Sequence, residues 1–422
     1  MSNRIAPLSF TAALVAAVFA APLAAQPAPS STPVPAPAAA PPAAEPPAWM
    51  QGQAPEYANP KLHPFAPIVT GRMAADLPLN TLKVPPGFKV EVWADGIPMA
   101  RSLAVGDKGT VFVGSRVSKN VMAVVTRDGK REVKTLLSGL TSPNGVAFHK
   151  GSLYVAEPER ILRYDAIESR LDNPPEPRVL VSGLPKQGNH FWKTLAVGPD
   201  GKLYFNVGAP FNIGMPNYLQ ASILRVDPDS GIVEDVALGV RNSVGMAFHP
   251  TSKQLWFTDN ARDWLGENGP EDELNVVTKR GEHFGFPYCH QGDIPDPEFG
   301  KGRSCAQFTP PAAKLGAHTA PLGMTFYTGS AFPADYRHNA FIAEHGSWNR
   351  SVKQGYNVTR AVIGPNGKVT KVEPFLTGFL QDDKADPPMW GRPVDVAGLA
   401  DGSLLVSDDY NGVIYRVSYA KK

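Results

Sequence analysis

The chain has 422 residues, with 41 Lys and Arg against 39 Asp and Glu and a formal net charge of +2. That balance gives no electrostatic reason to propose a nucleic-acid partner, while 43% hydrophobic residues are enough for a packed core. Two cysteines exclude a disulfide scaffold, a ferredoxin-type cluster and a Cys-rich zinc domain, and no Cys-x-x-Cys-His is present to attach haem.

Arg4 precedes a mostly apolar stretch from Leu8 to Ala25, with Pro22 and the small Ala24 and Ala25 near its end. The pattern predicts a signal peptide over residues 1–25. A retained membrane anchor is the alternative, but the run is short for a span and Pro22 interrupts it. Export implies a periplasmic or secreted protein. In an oxidising compartment Cys289 and Cys305 are expected to pair, closing a loop worth roughly 3 kcal/mol. Residues 26–48 hold 9 Pro and 8 Ala, so residues 26–56 read as an extended linker.

From residue 57 to 422 the texture is uniform. Short β-branched and aromatic runs alternate with Asp-Gly and Pro-Asp-Gly turns, and no amphipathic helix of 12 or more residues stands out. One unit recurs: an apolar run, a tight turn, a second apolar run. It reads SLAVGDKGTVFVGS from Ser102, NGVAFHKGSLYVAE from Asn144 and TLAVGPDGKLYFNV from Thr194. It returns as GMAFHPTSKQLWFTD from Gly245, in a degenerate copy from Gly323, and as VDVAGLADGSLLVSDD from Val394. Turns at Gly109, Gly151, Gly201, Ser252, His338 and Gly402 are 42, 50, 51, 86 and 64 residues apart. Six such hairpins, most followed by a further strand, predict an all-β, six-bladed β-propeller. A pair of sandwiches or a β-helix would not repeat one hairpin signature in this way.

A propeller gathers its inter-blade loops at the mouth of a central channel. The loop before the third unit holds His190 beside Asn189, Phe191, Trp192 and Lys193, and imidazole is suited to taking a proton near neutral pH. Arg241-Asn242 stands before the fourth unit, a cation and an amide fit for an oxyanion or a polycarbonyl ligand. Thr258–Asp263 and Glu271–Asn275 form the densest oxygen-ligand region, of the kind hard Ca²⁺ prefers. Glu344–Arg350 and Trp390–Pro393 complete the set. Each of these also reads as an ordinary surface loop or inter-blade ion pair.

Taken together, VRNSVGMAFHP, LWFTDNARDWLG, DELNVV, GEHFGFPYC, HGSWNRS and GRPVDV resemble the pyrroloquinoline quinone (PQQ)-dependent sugar dehydrogenases. The likeness is greatest to the sorbosone dehydrogenase branch, related to soluble glucose dehydrogenase, and it covers about Leu79 to Val417. The resemblance implies a six-bladed propeller binding PQQ and Ca²⁺. It implies His190 as general base and Arg241 as a catalytic and cofactor-contacting residue. Asn242, His318, Arg350 and Arg392 would also contact the cofactor, and the backbone carbonyls of Ala261 and Arg262 would hold Ca²⁺. In the family's mechanism the base takes a proton from the sugar hydroxyl, hydride passes to PQQ, and electrons leave to an external cytochrome or quinone. Three positions and one loop depart from glucose dehydrogenase. Asn189 replaces an acid, Trp390 replaces a second Arg, Ala261 replaces a Gly, and His345–Arg350 replaces a loop bearing a PQQ-binding Lys. A metal-dependent sugar lactonase and a non-enzymatic binding propeller are the rival readings.

Overall fold

The computed structural model describes residues 71–382 and 388–420. The expected signal peptide and linker lie outside the described residues. Each predicted hairpin forms the two inner strands of one four-stranded antiparallel blade. Blade 1 comprises Leu103–Val105, Val111–Val113, Val121–Arg127 and Lys130–Leu137. Blade 2 comprises Gly145–His149, Ser152–Ala156, Ile161–Tyr164 and Arg178–Val181. Blade 3 runs through Leu195–Val197, Leu203–Val207, Ser222–Val226 and Val233–Leu238, and Glu282–His283 adds a parallel edge. Blade 4 is Ser243–Phe248, Leu255–Asp259, Glu271–Val276 and Ala313–Ala317. Blade 5 is Pro321–Phe326, Ala340–Glu344, Asn357–Ile363 and Val369–Leu376. Blade 6 takes Pro393–Gly398, Leu404–Asp408 and Val413–Tyr419 from the end of the chain, and its outermost strand, Phe88–Ala94, from the beginning. The innermost strands adjoin in blade order and return from blade 6 to blade 1. In this ring blade 1 faces blade 4 across the channel.

The turn chemistry explains why the copies differ in legibility. Gly109, Gly151, Gly201 and Gly402 hold φ between +76° and +81°, which a Cβ would strain. Blades 4 and 5 place Lys253 and His338 in the same left-handed region, at φ +61° and +65°. These are the copies whose turns lack the glycine signal.

Apolar side chains fill the spaces between neighbouring sheets. Phe112, Val121 and Ala123 of blade 1 pack against Leu153, Val155 and Leu162 of blade 2. The closing strand is anchored by Phe88, whose ring meets Phe332 and Phe375 edge-on at 4.7 and 5.1 Å. Burying one such ring contributes about 2–3 kcal/mol, so this aromatic cluster fastens the ring where the chain ends meet. Among the described residues, helix occurs only as three-residue 3₁₀ turns, and no helix is long and apolar enough to cross a membrane.

Cys289 and Cys305 are bonded, as export predicts, with their Cα atoms 5.5 Å apart. The bond lies in an insertion between the third and fourth strands of blade 4, which accounts for part of the longest turn-to-turn interval. Asp296, buried in the same insertion, takes Arg262 Nη1 at 2.7 Å and His290 Nε2 at 2.9 Å. The cross-linked insertion thereby buttresses the blade 4 loop that carries Ala261 and Arg262.

Candidate active site

At one mouth of the channel lies a cavity of about 660 Å³, walled by loops of two kinds. One kind connects successive blades and supplies Arg101, Gly188–Trp192, Arg241, Asn242, His318 and Arg392. The other joins the second and third strands within a blade and supplies Arg116, Asn212, Asn260–Ala261, Asp263–Trp264 and His345–Asn349. The deeper channel, about 450 Å³, is lined by the inner strands, and Arg101 borders both spaces. Of the residues expected from sequence, His190, Arg241, Asn242, Ala261, His318 and Arg392 share this one cavity.

The inner strands of blades 4, 5 and 6 begin with a register irregularity, at Ser243/Met246, Pro321/Met324 and Pro393/Val396. A bulge turns the preceding residue away from the ladder, toward the mouth. The loops so released are then pinned by acids at the ends of the second strands. Asp259 accepts Arg241 N–H at 2.9 Å and Asn242 N–H at 2.6 Å. Asp408 accepts Arg392 N–H at 3.1 Å. In blade 3 Asn206 does the same for Thr194 N–H at 2.7 Å.

His190 is buried, and its Nδ1 lies 2.7 Å from the Ala209 carbonyl. A carbonyl only accepts, so Nδ1 carries the proton and Nε2 keeps its lone pair. Burial, with Arg241 adding, pushes the imidazole down to about 3. Gly208 makes this placement possible: a Cβ there would stand 2.6 Å from His190 Cβ and 2.8 Å from its carbonyl oxygen.

Arg241 is buried and held from several sides. Nε donates to the Asn212 carbonyl at 2.8 Å, and Nη1 to the Asn260 carbonyl at 2.9 Å. Nη2 donates to Asn212 Oδ1 at 2.8 Å and to Asp263 Oδ2 at 3.2 Å. Asp263 also takes Asn349 Nδ2 at 2.6 Å. His318 gives its Nε2 proton to the Gly266 carbonyl and accepts Asn349 Nδ2 at Nδ1, at 2.8 and 3.2 Å. The mouth-side loops of blades 4 and 5 are therefore one connected polar frame, with Trp264 edge-on to Trp348 at 5.3 Å.

A second frame holds Arg392. Its Nη2 donates to His345 Nδ1 at 2.7 Å, and His345 Nε2 donates to Asp409 Oδ1 at 2.9 Å. Asp409 Oδ2 also takes Arg101 Nη1 at 2.6 Å, and Arg101 Nε donates to Asn144 Oδ1 at 2.7 Å. Asp409 is held far below the usual carboxylate range by His345, Arg101 and Arg392, against the opposing effect of burial. Burial, with Arg392 adding, pushes His345 down to about 4.

Three buried polar atoms on the cavity residues have no partner among the described residues: Asn242 Oδ1, Trp192 Nε1 and Arg392 Nε. Unsatisfied groups of this kind are costly unless a ligand meets them. The other expected residues lie differently. Arg350 turns to the carbonyls of Val352 and Glu267 and does not line the cavity. Arg262 directs its guanidinium to Asp296, so only its backbone is available to the site. Trp390 is core: it packs on Phe379 and Tyr415, and its Nε1 donates to the Gly378 carbonyl at 2.8 Å.

Carboxylates of the acidic stretch aimed at one metal are what the rival lactonase reading requires. Instead Asp259 caps backbone amides, Asp272 accepts Ala261 and Ala320 N–H at 2.9 and 2.8 Å, and Glu273 accepts Gln291 N–H at 2.7 Å. Among the described residues no group of three His, Cys, Asp or Glu converges as a metal site. The carbonyls of Ala261 and Arg262 accept no hydrogen bond among the described residues, which leaves them free as oxygen ligands. Sequence reasoning missed Asp409, Asn212 and Arg116, and it read Asp263 only as part of the oxygen-rich stretch. The Asp408-Asp409 pair ends a hairpin where Asp259 ends another, and that repeat position was the available signal.

Fold and cavity together define a six-bladed propeller built to hold a polar, acceptor-rich ligand at one end of its channel, against an uncharged imidazole. The model of the TrAA12-like family matches residues 82–420, and the chain belongs to that family. It is 36% identical over 362 residues to an uncharacterized protein of Borreliella burgdorferi, covering 83% of this chain and 94% of that one. It is 25% identical over 417 residues to the PQQ-dependent pyranose dehydrogenase of Coprinopsis cinerea, covering 81% of this chain and 55% of that protein. Among solved structures, the AA12-family enzyme of Trichoderma reesei superposes with a TM-score of 0.72 at 19% identity, over 84% of this chain and all of that one. The holo PQQ domain of the Coprinopsis cinerea pyranose dehydrogenase gives 0.69 at 21% identity, over 80% and 97%. At these identities the structures show a shared fold.

Proposed function

We propose that this protein is a PQQ-dependent dehydrogenase that oxidises an aldose or sugar aldehyde, including sorbosone-like substrates. We place it in the periplasm or outside the cell and pass its electrons to an external cytochrome or quinone. The single observation that carries the reading is His190. Its Nδ1 proton is committed to Ala209, and its Nε2 is bare in a cavity otherwise rich in donors.

PQQ is a planar, acidic, carbonyl-rich molecule, and the residues fit it. Arg392 Nε and Asn242 Oδ1 are buried without partners, and Trp192, Trp264 and Trp348 supply flat surfaces. Arg241, Asn242, His318 and Arg392 would hold it, with Ca²⁺ taken by the carbonyls of Ala261 and Arg262. When bound, PQQ supplies a two-electron acceptor for hydride, and Ca²⁺ supplies polarisation of its carbonyl. The chain's own part is positional. His190 Nε2 accepts the proton of the reacting hydroxyl as hydride leaves the same carbon. Arg241, fixed on four sides, presents its charge without reorganising.

A base pushed down to about 3 stays unprotonated far into acid. We therefore expect kcat/KM to hold level down to about pH 5, with its acidic limb well below the ordinary histidine value near 6.5. A limb centred near 6.5 would show that His190 is not the titrating base, or that water reaches it. The reading as a whole is tested by dye reduction with purified protein, with and without PQQ and Ca²⁺, across aldoses and aldehydes. Activity is expected only with both additions. No activity and no PQQ kept through a desalting column would overturn it.

A further inference from the structure

Four arginines line the cavity: Arg101, Arg116, Arg241 and Arg392. Arg101 is paired with Asp409 and Arg241 with Asp263. Arg116 and Arg392 have no carboxylate partner among the described residues. Arg392 belongs to the frame of His345. Arg116 makes no hydrogen bond or ion pair among the described residues; its Cζ stands over the Trp192 ring, 4.3 Å from the centroid. An indole face attracts the cation, and a guanidinium with no protein partner keeps its N–H donors for a carboxylate, which it can grip through two bonds.

The rim of the cavity is uneven. Between the second and third strands, blades 3, 4 and 5 raise long loops, residues 208–221, 260–270 and 345–356. Blades 2 and 6 have only residues 157–160 and 409–412 there. Arg116 stands on blade 1, between the two low stretches and opposite blade 4. The loops that bear Arg241, Asn242, Ala261 and His318 enclose the far side. Among the described residues the rim is therefore lowest on either side of Arg116. Trp192, on which Arg116 lies, meets the His190 ring edge-on at 6.4 Å, so the stack extends from the opening to the base. The Trp192 Nε1 proton is also unpartnered, and the wall therefore offers donors and a positive charge with nothing of its own to satisfy them.

We propose that Arg116, stacked on Trp192, recognises a carboxylate on the substrate, and that the preferred substrates are acidic sugars of the uronic-acid class. This rests on the dehydrogenase reading above and adds the substrate's charge to it. Arg116 itself is pushed down to about 10 by burial and by Arg101 and Arg392, so it stays charged at neutral pH, and an anion relieves the crowding.

The test compares D-glucuronate, its uncharged amide D-glucuronamide, and D-glucose. With PQQ and Ca²⁺ loaded, dye reduction is expected to favour glucuronate over the amide on the order of 10- to 100-fold in kcat/KM, the scale of one charge-assisted contact. In Arg116→Gln that ratio should collapse toward one, and in Arg116→Lys it should be partly kept. Calorimetric binding of glucuronate, which needs no turnover, should show the same loss. Equal use of the three sugars by the unmodified protein overturns the proposal without any variant. So does an Arg116→Gln protein that loses PQQ on desalting while the charge preference survives reloading, because Arg116 would then serve the cofactor. If no sugar reduces the dye although PQQ is retained, the dehydrogenase reading fails. Calorimetry then still decides: glucuronate bound by the unmodified protein and not by Arg116→Gln upholds the carboxylate site, and no binding removes it.

Discussion

Replacing His190 with glutamine is expected to lower kcat by at least about 10²-fold while the protein still takes up PQQ. Glutamine is close to histidine in reach and places a neutral amide at the level of Nε2, while the Ala209 carbonyl, which now receives Nδ1 at 2.7 Å, loses its donor. What it lacks is a basic lone pair at the position of Nε2. The reacting hydroxyl would then have to lose its proton to water, and the low barrier for concerted hydride departure is gone. Stopped-flow reduction of the loaded protein isolates this step from reoxidation by the dye. A rate within a few-fold of the unmodified protein would remove His190 from the chemistry and reduce it to a wall residue.

The second large effect is structural. Asp409→Ala should destabilise the protein by about 3–5 kcal/mol, because it strands the buried charge of Arg101 and frees His345. Arg101 is only 2% exposed, so water cannot take over as its partner. The loss should be visible as a lower midpoint in urea, and PQQ retention should fall with it, since His345 no longer holds Arg392. The pH dependence follows from the sign of the shift. A depressed carboxylate contributes stability that is complete above the unfolded value near 4 and is lost progressively as pH falls below it. The gap between the unmodified protein and Asp409→Ala should therefore narrow in acid. A constant gap from pH 7 to pH 3 would show that packing, and not the ion pair, carries the effect.

The hairpin repeat was legible because a propeller blade writes the same turn at the same place, and Gly109, Gly151, Gly201 and Gly402 mark it in letters only glycine supplies. His190, Arg241, Asn242 and Arg392 were legible because each stands in a loop leading into an inner strand, and these four line the cavity at the channel mouth. Trp390 shares that loop with Arg392 yet points into the core, because an indole finds more area against Phe379 and Tyr415 than in a polar cavity. Adjacency in sequence fixes neither orientation. Asp409 was out of reach for another reason: its partner Arg101 lies 308 residues away, and only closure of the ring brings them to 2.6 Å. The task of the acidic side chains was not legible either: the bulges that open blades 4 and 6 leave amides bare, and Asp259 and Asp408 are taken up in satisfying them. Arg116 carried no signal at all, being one arginine in a short polar loop.

The strand Phe88–Ala94 completes the blade built from Leu404–Asp408 and Val413–Tyr419, and Ala420 N–H still donates to the Gly87 carbonyl at 3.0 Å just beyond the ladder. The first and last strands of the ring are thus hydrogen-bonded neighbours, and nothing in the architecture distinguishes that junction from any other. A peptide bridge across it, with new ends opened in an exposed turn such as Asp128-Gly129, would give a circular permutant with the same six blades in the same order. The cavity would be unchanged, since none of its loops is cut. For this ring, the order in which the strands are strung together can be changed at that junction without changing which strands pair.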